Sequence, residues 1–247
     1  LLPPSETFIL EQVAAFERWK NRLFGYTREP GGLSLSAVDH DVLWPNLHPL
    51  VVRYLDRICG KRLNAWQGAR RIAAWAPNLV HTHFGNEVCR HWNLFSRLDV
   101  PIVVTLHGRD ITVRPEVWDS GRLGRINVGY PAQLRSLASD GRVHFVAVSD
   151  WIRRAAEAFG LPADTIPVHH IGVDVERFKP APDMRLDPPV VLFVGRLVEK
   201  KGVAWLLRAM PAILSEHPGA RLVLIAGEVA RLAGTIRLGP RPVIRYL

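Results

Sequence analysis

Short apolar runs recur along the chain, separated by stretches in which apolar positions return every three or four residues. The runs "RLFGYT" (22–27), "NLVHTHF" (78–84), "PIVVTLHG" (101–108), "RVHFVAVS" (142–149), "IPVHHIG" (166–172), "VVLFVG" (190–195) and "ARLVLIAG" (220–227) have the length and composition of strands. Helical spacing fills segments near 7–18, 50–58, 65–76, 86–97, 130–138, 150–160 and 202–216. Continuous apolar strands alternating with amphipathic helices predict an α/β fold, a parallel sheet covered on both faces.

The rhythm breaks at "VDVERFKPAPDMRLDPPV" (173–190), which is polar and proline-rich and reads as a linker. The predicted organisation is a first α/β domain over 1–174, a linker over 175–188 and the opening strand–helix–strand unit of a second domain over 189–247. That second piece is small for a doubly wound domain. The last stretch, 228–247, shows some helical spacing and no clear strand–helix continuation, so a terminal end is expected there. No internal repeat or low-complexity tract is present.

Charge narrows the range of partners. The 247 residues include 32 basic and 23 acidic side chains, a formal net charge of +9, which favours nucleotides, phosphates, nucleic acid or an anionic membrane face. Two cysteines, Cys59 and Cys89, exclude a disulfide framework or a cysteine-type zinc site and fit a reducing compartment. No run of 18 apolar residues predicts a membrane span. The start, "LLPPSETF", lacks the basic opening and apolar core of a signal peptide, and without an initiator Met it reads as cut from something longer. A cytoplasmic protein is expected.

In parallel α/β sheets ligands bind beyond the carboxyl ends of the strands. Those ends carry "HGRD" (107–110), "SDWIRR" (149–154), "GVD" (172–174) and "GRLVEKKG" (195–202). In the last of these, Gly195 and Gly202 let the backbone turn tightly, Arg196 offers a bidentate fork and Lys201 a point charge. Placed at a helix mouth, these groups suit a diphosphate; the plainer reading is a solvated basic turn balanced by Glu199. His107, beside Gly108, can donate to a substrate oxygen or stabilise developing charge; the plainer reading is a packed histidine. His81 and His83 share one strand face without an evident third metal ligand, so no metal site is expected. His169 and His170 fall on opposite faces of their strand. Ser149 before Asp150 reads as an N-cap, and without a G-x-S-x-G frame it is no hydrolase nucleophile. Trp19, Trp66, Trp75, Trp92 and Trp151 are expected to pack as core. No P-loop or G-x-G-x-x-G fingerprint occurs.

Taken together, "PIVVTLHGRDI", "VHFVAVSDWIRRAAEAFGLP", "IPVHHIGVDVERFKP" and "VVLFVGRLVEKKGVAWLLRAMPAILSEHPGARLVLIAGE" resemble the group 1, retaining glycosyltransferases of the GT-B fold, over about residues 1–228. "PPSETFILEQV" and "HTHFG" are similar to the bacterial exopolysaccharide branch, colanic-acid-type transferases included. The resemblance implies two facing Rossmann-like, doubly wound parallel-sheet domains. The N-terminal one (1–174) lies on the acceptor side and lacks its first strand, and the C-terminal one (189–247), which binds the nucleotide sugar, is truncated. It implies transfer of a sugar from a nucleotide-diphosphate donor to a growing polysaccharide or lipid-linked acceptor, with retention. No cofactor or metal is implied, because protein cations hold the diphosphate. By this resemblance Arg196, Lys201 and Gly195 match the diphosphate site, and His107 matches a catalytic histidine that approaches the donor sugar. Ser5, Glu6, Gly108, Asp110, Ser149, Gly172 and Asp174 match positions that line the cleft at most.

The chain departs from the family pattern after Gly227, where the later two-glutamate motif is not found. A fragment without turnover of its own is therefore expected. The alternatives are a truncated module that binds a nucleoside diphosphate without turnover, and a basic nucleic-acid binder. The scattered charge and the lack of any RNA or DNA motif disfavour the binder. Contact of the basic surface with an anionic membrane leaflet is a further expectation.

Overall fold

In the computed structural model the described residues are 2–3, 6–28, 30–48, 50–52, 54, 62–180, 188–225 and 244–246. Internal contacts divide the chain into two units, Leu1–Val173 and Asp174–Leu247.

The first unit is built on parallel strands. β1 (Leu23–Gly25) pairs with β2 (His40–Val42), and β3 (Val80–His83), β4 (Ile102–Leu106) and β5 (Val143–Ala147) form a second sheet in that order. β4 is central. Ile102, Val104, Thr105 and Leu106 are all buried, which is why its sequence is apolar without alternation. β5 alternates instead: Val143, Phe145 and Ala147 are buried while His144 is exposed.

The helices of this unit are α1 (Thr7–Ala15), α2 (Arg62–Ala73), α3 (Gly85–Arg90), α4 (Trp92–Phe95), α5 (Arg109–Thr112), α6 (Pro115–Asp119), α7 (Tyr130–Leu137) and α8 (Asp150–Ala158). Val88 of α3, Leu134 and Leu137 of α7 and Ile152 and Ala156 of α8 close over the β4–β5 face in one core cluster. A second cluster joins Ala65, Ala69 and Ile72 of α2 to Leu94 and Leu98.

The second unit opens with β6 (Val190–Val194), continues through α9 (Val203–Glu216) to β7 (Arg221–Ile225), and includes β8 (Ile244–Tyr246). β6, β7 and β8 are parallel and lie in that order. Val203, Leu207 and Met210 of α9 pack on Leu222 and Leu224, with Val191 and Phe193 beside them.

Several sequence expectations change. The run 166–172 makes a single bridge, Ala147 to Val168, rather than a full strand. Pro167 has no N–H to donate, and from His169 onward the residues are exposed. The helix expected over 86–97 breaks at His91 (φ −106°, ψ 18°), whose ring stacks on Tyr26 at 5.0 Å. The helix near 7–18 stops at Ala15. Strand β2 and helices α5 and α6 were not expected; each is five residues or shorter, too short to show a period. The end of the chain, expected to carry no continuation, contributes β8. The remainder of 226–247, and most of the helix expected near 50–58, lie outside the described residues.

The tryptophans also differ from expectation. Trp19, Trp66 and Trp151 are about half exposed (53, 47 and 59%), and the buried indole is that of Trp118 at 3%. A large amphipathic ring on a helix need not face the core: Trp66 lies under the Arg70 guanidinium, 4.7 Å from the ring centre.

Candidate functional site

In the first unit the chemistry collects at the carboxyl ends of β3 and β4. The parallel register sets His81 opposite Val103 and His83 opposite Thr105. His107 follows β4 directly, and its Nε2 lies 2.9 Å from Nδ1 of His83. The neighbouring His81 places Nε2 2.7 Å from the Thr105 hydroxyl. Phe8 of α1 and Phe84 pack on His107, with ring centres at 4.8 and 4.7 Å. Burial lowers the affinity of His107 for a proton to a pKa of about 4. Burial, with the charges that His81 and His107 would carry, lowers that of His83 to about 3. Burial and His107 also lower His81. All three imidazoles are therefore neutral at pH 7.

Backbone geometry fixes this cluster. Phe84 has φ +68°, a left-handed conformation that is costly for a bulky residue, and its N–H donates to the Thr105 carbonyl at 2.8 Å. The next residue must be glycine, because a Cβ on Gly85 would stand 2.7 Å from the Tyr130 hydroxyl oxygen and 3.2 Å from Leu134.

Asp110, expected to line the cleft, is 1% exposed and turned inward. Its carboxylate accepts the backbone N–H of Gly108 (2.7 Å), Gly85 (3.0 Å) and His107 (3.3 Å), while the Tyr130 hydroxyl donates to its carbonyl at 2.7 Å. Burial pushes this carboxyl up, and the backbone donors oppose that shift. One carboxylate thus ties the loop after β3 to the loop after β4.

The other candidates of this unit lie apart from this cluster or are plainly structural. Ser149 caps α8 by accepting the Ile152 N–H at 3.2 Å, as its position before Asp150 predicted. Gly108 has open space around it, Gly172 is exposed, and Glu6 stands at the N-cap position of α1. Ser5 lies outside the described residues. A cavity of about 220 Å³ lined by Asn86, Arg90, Trp92, Asn127 and Gln133 does not include the histidines. Among the described residues no group of three or more His, Cys, Asp or Glu is arranged to hold a metal.

In the second unit Gly195 leaves β6 with φ +153°, and its N–H donates to the Ile225 carbonyl at 2.9 Å. Leu197 (3% exposed) and Val203 (1%) anchor the loop in the core, and the turn Glu199–Lys201 ends on Gly202 at φ +72°. Around these anchors Arg196 and Lys201 are exposed, and among the described residues their side chains make no hydrogen bond or ion pair. Two unpaired cations before the first turn of α9, with its uncommitted N–H groups, form an anion-attracting edge. Asp174 is exposed and caps a turn, accepting the N–H of Glu176 and Arg177 at 3.0 Å.

Residues 5–177 match the family described as Glycosyltransferase Family 4. The chain belongs to this family. Residues 188–245 match the family described as Glycosyl transferases group 1. The chain is 31% identical over 171 residues to the glycogen synthase of Mycobacterium tuberculosis, covering 63% of this chain and 36% of that protein. It is 32% identical over 136 residues to a GDP-mannose-dependent alpha-(1-6)-phosphatidylinositol monomannoside mannosyltransferase of Mycolicibacterium smegmatis, covering 51% of this chain and 32% of that one. The chain thus spans about a third of the length of these curated relatives. Its fold is similar to that of Anabaena HepE in complex with UDP and glucose, at a TM-score of 0.58 and 15% identity, covering 90% of this chain and 57% of that one. The α/β fold read from the strand–helix alternation, and the Rossmann-like domain type that the resemblance implied, are thereby established.

His83 was passed over in the sequence as half of an incomplete metal pair. The signal that would have singled it out is register: His83, the last residue of β3, stands opposite Thr105, and His107 follows Thr105 by two positions on the same face.

Proposed function

We propose that this glycosyltransferase moves a sugar from a nucleotide-diphosphate donor to a growing polysaccharide or lipid-linked acceptor, with retention of anomeric configuration. The observation that carries this reading is the loop after β6, where the side chains of Arg196 and Lys201 stand exposed and, among the described residues, unpaired, at the mouth of α9 with Gly195 at the strand exit. The anomeric carbon–oxygen bond to the diphosphate breaks and the electron pair leaves with the phosphate. The acceptor oxygen then bonds to the same face of the anomeric carbon and gives up its proton to the departing phosphate oxygen. Cations fixed next to the departing diphosphate lower that barrier by stabilising developing negative charge. In this reading they take the part a metal ion plays elsewhere, and no cofactor is needed.

The UDP and glucose of the HepE complex and the GDP-mannose dependence of the mycobacterial mannosyltransferase support a nucleotide-sugar donor. His107, neutral at the end of β4, is the residue assigned to the donor sugar. The net charge of +9 supports work at an anionic cytoplasmic membrane face, and no helix among the described residues is long and apolar enough to cross a membrane.

The test is transfer from UDP- and GDP-linked sugars to lipid-linked or oligosaccharide acceptors, with the new linkage read by anomeric proton NMR. An α-linked product from an α-linked donor is expected. A β-linked product contradicts retention, and binding of the nucleotide without any transfer leaves a diphosphate-binding module.

A further inference from the structure

The inference below rests on the assignment of His107 to the donor sugar, and it concerns the partner that controls it. Nδ1 of His83 and Nε2 of His107 lie 2.9 Å apart, so one ring donates and the other accepts. With both rings neutral, the bridge holds a single proton and has two arrangements. In the first, His107 carries its proton on Nε2 and donates to a bare Nδ1 of His83. In the second, His83 donates from Nδ1 and His107 must carry its remaining proton on Nδ1 as well.

The first arrangement leaves both rings in the tautomer that an imidazole side chain prefers in water. The second puts both in the less favoured one and needs acceptors to hold it. Each arrangement leaves one outer N–H without a partner among the described residues, that on Nε2 of His83 in the first and that on Nδ1 of His107 in the second, so the intrinsic preference of the rings decides for the first. His81 does not compete, because its Nε2 is committed to the Thr105 hydroxyl at 2.7 Å. Phe8 and Phe84 flank the His107 ring and offer it no acceptor. Asp110 is also close in sequence, but its oxygens are taken by backbone N–H groups, that of His107 included.

We propose that His83 is a positioning residue that locks His107 as the Nε2–H tautomer and leaves Nδ1 of His107 as a bare acceptor for a hydroxyl of the donor sugar. A ring nitrogen's partner sets the proton on the opposite nitrogen, so the residue facing the substrate takes its character from the one behind it. This reverses the role expected from the sequence alone, in which His107 donates to a substrate oxygen. A sugar whose hydroxyl donates is accepted there, and an analogue with a methoxy group in its place is not.

Long-range proton–nitrogen correlation spectra of the full chain, with ¹⁵N-labelled histidine at pH 7, read the tautomers directly. The expected result is a protonated Nε2 and a bare Nδ1 on His107, with a bare Nδ1 on His83. In His83→Ala the fixed pattern of His107 gives way to averaged shifts of two exchanging tautomers. His83→Asn, whose side-chain oxygen can accept the Nε2 proton, restores it. A protonated Nδ1 on His107 in the parent protein overturns the proposal, as does an unchanged His107 pattern in His83→Ala. The parent spectrum decides even where a variant does not fold. None of these readouts needs sugar transfer, so a failure of the donor assignment and a failure of the His83 lock are told apart.

Discussion

Replacing Asp110 tests how the histidine site is held. Its carboxylate accepts three backbone N–H groups, from Gly108, Gly85 and His107, at 2.7, 3.0 and 3.3 Å. Asp110→Ala leaves them without an acceptor, and an orphaned buried donor costs about 1–3 kcal/mol. Gly85 is buried, so its N–H bears the larger penalty, whereas Gly108 and His107 are half-buried and within reach of water. Relief of the carboxylate's own desolvation offsets part of the loss. The net expectation is about 3–4 kcal/mol of destabilisation, within the range for breaking a buried charged contact. Asp110→Asn keeps one accepting oxygen but turns an NH₂ toward the other donors, so about 1–3 kcal/mol is expected. Hydrogen exchange of the β3 and β4 amides along a urea series reads the first unit without assuming that both units unfold together. A loss below about 1 kcal/mol in Asp110→Ala would refute the claim that this carboxylate ties the two loops.

Further outcomes follow from the same geometry. Gly85→Ala drives a methyl to 2.7 Å from the Tyr130 hydroxyl and 3.2 Å from Leu134, so urea titration is expected to show a loss of about 1–3 kcal/mol. His83 and His107 have folded-state values near 3 and 4, below an unfolded value of 6.5, so the unfolded chain takes up their protons first. Stability is therefore full above pH 6.5 and falls as the pH drops toward 4. The linkage limit is about 1.4 kcal/mol per pH unit for each ring, and solvent screening brings it to roughly half. Unfolding midpoints that do not change between pH 7 and pH 5 would contradict this. Burial pushes the Cys89 thiol up to about 12, so in a Cys59→Ser background its reaction with a disulfide reagent is expected to be orders of magnitude slower in buffer than in urea.

Much of this was legible in the sequence because parallel strands of a covered sheet are written as apolar runs. "PIVVTLHG" gave β4 and its chemical end at once, since both faces of that strand are buried. "GRLVEKKG" was likewise readable as strand exit, turn and helix mouth. Other features were not local. The His83–His107 bond depends on parallel register across 24 positions of chain. The inward turn of Asp110 depends on Gly85 standing where its N–H can reach. The bridge at Val168 looked like a strand because its apolar content was counted and the missing N–H of Pro167 was not. Trp118 and Trp151 both sit on helices, and only packing separates the buried one from the exposed one.

The central claim is that Arg196 and Lys201 grip the donor diphosphate. Calorimetric titration of the full chain with UDP and GDP, comparing the parent with Arg196→Ala/Lys201→Ala, tests it most directly. Two charged contacts at about 1.5 kcal/mol each, the low end for a site open to water, correspond to a loss of roughly 10²-fold in affinity, and that loss should shrink as salt rises. Equal affinity in the parent and the double variant would contradict the account.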